Sequence, residues 1–124
     1  MSNYTYDSPL RQSIAVSGTP TSALTRSVAV PAGATRMRLR HAGAYLSAGS
    51  NDSTNALEVG IAGDTDAFYS GISLAVTSAA PADTYSKDLS AKDIDGADAV
   101  LITIRADAGA TGDTVNFDFV IDWF

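Results

Sequence analysis

The final segment of the chain alternates between large apolar and polar residues. In the run from Val115 to Trp123 every odd position is apolar, and three of the even positions are Asn116, Asp118 and Asp122. A period of two predicts a strand with one buried face, because successive side chains of a strand point to opposite sides. Phe124 follows directly, so we expect this end of the chain to belong to the core.

Shorter runs with the same alternation recur along the chain, and stretches rich in Gly, Pro, Ser and Asp separate them. Such stretches, among them Gly63 to Asp66 and the Ala-Pro-rich Ala80 to Asp83, are typical of turns. About eight short strands at regular spacing predict an all-β fold, an antiparallel two-sheet sandwich. Loops of about six or more residues favour a jelly-roll or Greek-key arrangement over a meander. The other predicted strands are Ile14 to Val16, Leu24 to Val30, Arg36 to His41, Leu57 to Ile61, Ile72 to Val76, Tyr85 to Leu89 and Val100 to Arg105.

Composition agrees with one compact β-domain over residues 1–124. The 124 residues suit a single domain, and the 14 acidic residues include only one glutamate, Glu58. Aspartate favours turns over helix interiors, because its short side chain bonds to nearby backbone. Cysteine is absent, which excludes disulfides, thiolate catalysis and cysteine zinc sites and favours assembly in a reducing cytoplasm.

Net charge and hydropathy limit the kinds of molecule that we expect this chain to bind. The net charge is −6 and the pI is about 4.4, whereas a nucleic-acid-binding domain is typically basic. The first residues lack the apolar core of a signal peptide, and no stretch approaches the ~20 apolar residues of a membrane span. We therefore expect neither a nucleic acid nor a membrane as partner.

Residues 1–9 differ from the rest of the chain. The segment from Ser2 to Ser8 contains Tyr4 and Tyr6 but no aliphatic residue. It is either a first strand or an N-terminal arm that lies on a neighbouring subunit.

Catalytic chemistry finds little support. His41 is the only histidine and no G-x-S-x-G sequence occurs. His41 has the phase of Met37 and Leu39, which predicts a partly buried, hydrogen-bonded residue. The abundant aspartates fall in turns or at outward strand positions, so they do not form a placed carboxylate pair. We expect no enzyme and no catalytic residues.

Two further features could bind a ligand. Asp93, Asp95 and Asp98 surround Gly96 as a calcium loop would, but the twelfth position is Ile104 and not the glutamate of an EF-hand. A β-turn at Asp95-Gly96 explains the same residues, and we expect no bound metal or other cofactor. Trp123 could be a sugar platform, but its phase in the last strand predicts a core residue.

A stripe of arginines is the densest positive charge in the sequence. Arg36, Arg38 and Arg40 alternate with apolar residues. They either pair across strands with Asp118, Asp122 or Glu58, or they form an interface, at which arginine is favoured. The candidate interface residues are Tyr4, Tyr6, Arg36, Arg38 and Arg40.

Part of the sequence resembles galactose-binding-like jelly rolls. The likeness covers the turn and strand from Asp88 to Ile104, the loop from Asp107 to Asp113 and the aromatic strand after it. The resemblance implies a β-sandwich that binds sugars. The sugar-contacting aromatics of that family do not map onto a clear position in this chain.

The whole chain is similar in another way to small phage virion proteins. It is a short, cysteine-free β-sandwich sequence rich in Ala, Thr, Ser, Gly and Asp, as are head decoration (cement) proteins and tail-associated β-modules. The resemblance implies a non-enzymatic, capsid-stabilising head decoration subunit that is assembled in the host cytoplasm and resides in the virion. It also implies a homo-oligomer, often a trimer, in contact with the major capsid protein or another virion protein. The alternative is a carbohydrate-binding module or a receptor-binding tail or fibre β-domain.

Overall fold

The described part of the chain consists of antiparallel strands joined by turns and loops. The computed structural model describes residues 8–19, 23–49, 53–76, 82–84, 90–105 and 114–124, and these ranges contain no helix. The strands are β1 (Leu10–Gly18), β2 (Leu24–Ala29), β3 (Arg36–Ala48), β4 (Ser53–Ile61), β5 (Asp64–Val76), β6 (Ala82–Thr84), β7 (Lys92–Asp93), β8 (Ala99–Arg105) and β9 (Thr114–Trp123).

Eight of these strands form two four-strand sheets. Sheet A has the order β1-β9-β3-β6, and sheet B has the order β2-β8-β4-β5. The two-residue β7 pairs with β3 beside β6. This order, in which early strands pair with late ones in both sheets, is that of a jelly roll. The predicted antiparallel two-sheet sandwich is confirmed.

The core lies between the sheets and follows the predicted alternation. The odd positions of β9 are buried, and Trp123 is fully enclosed. The Trp123 indole Nε1 donates a hydrogen bond to Gln12 Oε1 at 3.0 Å, so the one polar atom of this large side chain is satisfied. Opposite them, sheet B buries Leu57, Val59, Leu74, Val100, Ile102 and Ile104.

A β-bulge in β3 changes which side chains face the core. Leu39 pairs with Ile121, but the next pair along is His41 with Val120, so Arg40 is an extra residue. Such an insertion reverses the alternation beyond it. His41 therefore lies half-buried on the outer face, and Ala42 is buried in its place. The prediction that His41 shares the phase of Leu39 is wrong for this reason.

Several strand boundaries also differ from the prediction. β1 begins at Leu10, well before the predicted start at Ile14, and β5 begins at Asp64, inside a stretch predicted as a turn. β6 occupies Ala82–Thr84, where the Ala-Pro-rich sequence predicted another turn. The predicted strand from Tyr85 to Leu89 lies outside the described residues.

The predicted turn at Asp95-Gly96 is present. The Ala97 N–H donates to the Ile94 carbonyl at 2.9 Å. Asp95 and Gly96 both have positive φ, 49° and 73°. Positive φ at both central residues defines a type I′ turn, which Asp-Gly favours.

Tyr69 of β5 joins the two sheets by hydrogen bonds. Its hydroxyl accepts a bond from the Leu39 N–H at 3.2 Å and donates one to the Ser90 carbonyl at 3.0 Å. Leu39 lies between the parts of β3 that pair with β7 and with β6. The hydroxyl thus accepts the hydrogen bond that the carbonyl of a neighbouring strand would accept if sheet A were continuous at Leu39.

Replacing Tyr69 with phenylalanine is expected to lower the free energy of unfolding by about 1–3 kcal/mol, because the change leaves a buried N–H without its acceptor. Chemical denaturation followed by circular dichroism measures the change. Tyr45→Phe is the matched control, since Tyr45 is 43% exposed, and we expect it to change stability by less than about 0.5 kcal/mol. Equal stabilities of the two variants would contradict this role of Tyr69.

Candidate functional site

Three arginines and one aspartate meet on the outer face of sheet A. We call Arg11, Arg38, Arg40 and Asp122 the arginine cluster. β9 lies between β1 and β3, and the strand register places Arg11 and Arg38 on either side of Asp122. Arg40 joins them as the extra residue of the bulge.

The aspartate is enclosed while its arginines reach solvent. Arg11 Nε donates to Asp122 Oδ1 at 2.8 Å, Arg38 Nη2 donates to Oδ2 at 2.6 Å, and Arg40 Nη1 lies 3.9 Å from Oδ2. The Asp122 side chain is 0% exposed, whereas those of Arg11, Arg38 and Arg40 are 51%, 18% and 45% exposed. The Arg38 guanidinium also lies over the Phe124 ring, 5.3 Å from its centroid, a favourable cation–π distance.

The cluster keeps a positive charge. Burial by itself raises the pKa of Asp122, but the hydrogen bonds and charges of Arg11 and Arg38 outweigh it, and the pKa lies below its ordinary value. The same contact raises the pKa of Arg11. Asp122 is therefore ionised at neutral pH, and the cluster contains one negative carboxylate and three positive guanidinium groups. This region is locally positive in a chain whose net charge is −6.

The predicted cross-strand pairing holds for part of the arginine stripe. Arg38 and Arg40 lie beside Asp122, one of the three predicted partners. Arg36 instead lies 3.4 Å from Asp93 of β7, which is not one of the predicted partners. The Asp93 side chain is 75% exposed, so this ion pair adds little to stability.

Glu58, another predicted partner of the stripe, lies on sheet B and pairs there. Arg105 Nη2 donates to Glu58 Oε2 at 3.2 Å, and the Thr65 hydroxyl donates to the same oxygen at 2.9 Å. These bonds, that of Arg105 first, hold the pKa of Glu58 below its usual range. Glu58 therefore pairs within sheet B and not with the arginine stripe of sheet A.

Arg11 is the cluster member that sequence reasoning missed. Its strand was predicted only over Ile14 to Val16. Extending that alternation backwards places Gln12 on the inner face and Arg11 on the outer face, as the structure has them. The signal was weak because Gln12 is polar, although its side chain serves the core by accepting the Trp123 hydrogen bond.

The remaining candidates are the two N-terminal tyrosines and the aspartates of the possible calcium loop. Tyr4 and Tyr6 lie outside the described residues, so their interface role stays a prediction. Among the residues the structure describes, no group of three or more His, Asp or Glu side chains is placed to hold a metal ion. Ile94, inside the Asp93–Asp98 segment, is buried and donates its N–H to the Thr35 carbonyl at 3.1 Å.

No helix within the described ranges has the length and apolarity of a membrane span.

Comparisons with known proteins assign no family. No protein-family model, curated protein or solved structure matches the chain. The resemblances to phage virion proteins and to galactose-binding-like jelly rolls stay predictions, and function must be inferred from the fold and the arginine cluster.

Proposed function

We propose that the chain is a non-enzymatic structural subunit of a virus particle, a phage head decoration protein that stabilises the capsid. In this proposal the arginine cluster attaches the subunit to an acidic patch of the major capsid protein or of another virion protein. The observation that carries the proposal is the prearranged arginine cluster, with Arg11 and Arg40 about half exposed, on a jelly roll. Jelly rolls build viral capsid domains as well as lectins, and the fold alone does not choose between them.

The cluster has the chemistry of a protein-binding surface. A guanidinium group binds a carboxylate through two parallel hydrogen bonds, and arginine is enriched at protein interfaces. Asp122 holds Arg11 and Arg38 at 2.8 Å and 2.6 Å. Because these side chains are already oriented, a partner's carboxylates would bind with less loss of side-chain entropy.

The charge distribution also supports one docking orientation. The net charge of −6 makes most approaches of this chain to an acidic surface repulsive. The locally positive arginine cluster is attracted to the same surface. Complementary patches of this kind increase association rates and suppress other orientations.

A carbohydrate-binding module is the second candidate, and one observation favours it. Tyr45 is a large aromatic residue that is 43% exposed. It pairs with Asn116, towards the opposite end of β9 from Asp122. An exposed aromatic ring on a lectin-like sheet could stack against a sugar, separately from the arginine cluster.

Co-sedimentation tests the proposal. Purified protein is mixed with particles of the virus that encodes it, prepared without this protein, over a range of salt concentrations. We expect saturable binding that weakens as salt rises, because salt screens exposed charges. Deletion of residues 1–8, which removes the candidate interface residues Tyr4 and Tyr6, is expected to weaken binding relative to the wild type while the circular dichroism spectrum is unchanged.

The opposite pattern would favour sugar binding. If the protein stays in the supernatant at low salt and binds a defined glycan saturably, the structural proposal is wrong. Loss of that glycan binding in Tyr45→Ala would then assign the chain to the carbohydrate-binding class.

A further inference from the structure

β1 is a long and regular sheet edge. It pairs with β9 over nine consecutive residues without a register shift. Among the described residues no strand pairs with its other side. An edge of this kind presents a row of backbone N–H and C=O groups that can pair with another strand.

The other sheet edges carry features that disfavour strand addition. β2 has six residues and bears the exposed Arg26 opposite buried Ile102, an inward-facing charge on an edge. β5 is interrupted by register shifts against β4 and has positive φ at Gly71. The remaining edge is divided between the three-residue β6 and the two-residue β7. Charges, bulges and short strands are known means of protecting sheet edges, and β1 has no bulge and no Pro, and a charge only near its start.

We propose that two copies of this chain associate by antiparallel pairing of β1 with β1, which joins their A sheets into one continuous sheet. The two-fold axis passes near Ile14, the middle residue of β1. Ile14 then lies beside Ile14 of the second copy. In the single chain Ile14 is a buried residue at the sheet edge, with 7% of its surface exposed. Apolar cross-strand pairs of this kind stabilise sheets.

The side chains of β1 allow this pairing. On the outer face Ser13, Ala15 and Ser17 are small and exposed, so none of them blocks the approach of a second strand. With the axis at Ile14, Ser13 lies opposite Ala15 of the second copy. Arg11 lies opposite Ser17 of the second copy, so like charges do not meet.

The pairing has a consequence for attachment. A two-fold axis perpendicular to the sheet leaves both outer faces on the same side. The two Arg11 residues would be about 20 Å apart along the strands, from six residues at about 3.4 Å each. The dimer thus presents two arginine clusters to one surface, which strengthens attachment through multivalency. This consequence rests on the proposed function, whereas the β1 pairing does not.

Sedimentation velocity of the full chain, without any particle, tests the pairing and its register. We expect the wild type to dimerise as its concentration rises to about 100 μM. The double variant Ser13→Lys/Ala15→Lys places lysine opposite lysine across the axis and is expected to raise the dimer Kd at least about tenfold. Ser13→Lys/Ala15→Glu places opposite charges at the same positions and is expected to restore dimerisation.

Two controls keep the result interpretable. Thr25→Lys/Ser27→Lys introduces two lysines at exposed positions with the same spacing on the β2 edge and is expected to leave the dimer Kd unchanged. Amide hydrogen exchange of the wild type needs no variant, and we expect alternate β1 amides to become protected only as the dimer forms.

Three results would overturn the pairing. The first is a wild type that stays monomeric over this concentration range. The second is a Ser13→Lys/Ala15→Lys variant that dimerises as well as the wild type. The third is protection of β1 amides that does not depend on protein concentration. A protein that dimerises through β1 but ignores particles would instead refute the proposed function and leave this inference standing.

Discussion

Replacing Trp123 with alanine is expected to lower the free energy of unfolding by about 3–5 kcal/mol, the typical cost of removing a large buried aromatic side chain. Trp123 is 0% exposed and lies in the central strand β9, which pairs on both sides. The change also leaves Gln12 without the indole donor that its side chain binds. Both effects act in the same direction.

Chemical denaturation followed by far-UV circular dichroism measures this loss, because the variant lacks the only tryptophan and cannot be followed by its fluorescence. Tyr45→Ala is the matched control, since it removes an aromatic residue that is 43% exposed. We expect the control to lose far less stability than Trp123→Ala. A Trp123→Ala protein as stable as the wild type would show that β9 does not carry the core.

Replacing Asp122 with asparagine is expected to cost about 2–3 kcal/mol at neutral pH. The change removes the carboxylate that separates three guanidinium groups and leaves their charges facing one another. Breaking a fully buried ion pair typically costs about 3–5 kcal/mol. The cost here is smaller, because Arg11 and Arg40 are half exposed and water screens them.

The loss in Asp122→Asn should depend on pH. The folded pKa of Asp122 lies below its ordinary value of 3.8, so the ionised carboxylate stabilises the fold above that pH. This stabilisation disappears as the pH falls through the folded pKa. The stability difference between wild type and Asp122→Asn should therefore be largest at neutral pH and shrink in acid.

Asp118→Asn provides the control for Asp122→Asn. Asp118 lies on the same strand and the same face but is exposed, so we expect a change within about 0.5 kcal/mol. Equal effects of the two substitutions, or a difference that does not vary with pH, would contradict the role assigned to Asp122.

Strong alternation made the central strand predictable. In β9 the apolar and polar positions contrast fully, and the predicted burial of Phe117, Phe119 and Trp123 is confirmed. Where apolar and polar positions differ little, the predicted strand ends before the observed one. β3 continues through Ala42, Gly43 and Ala44, whose small side chains carry little periodic signal even though all three are buried.

The bulge at Arg40 could not be predicted from alternation. A bulge is set by pairing with a partner strand, and here that partner, β9, is far away in the sequence. The sequence correctly offered Asp122 as a partner for the arginine stripe. It could not choose Asp122 over Asp118 or Glu58, or add Arg11, because those choices depend on strand order and register.

Charge reversal within the arginine cluster tests the proposed attachment most directly. Arg40 suits the test because its side chain is 45% exposed and lies 3.9 Å from Asp122, so it contributes least to holding the aspartate. Arg26→Glu makes the same change at an exposed position on sheet B. In co-sedimentation with particles that lack the protein, we predict that Arg40→Glu reduces binding at least about tenfold while Arg26→Glu binds like the wild type. Equal binding by all three proteins, each with an unchanged circular dichroism spectrum, would contradict attachment through the arginine cluster.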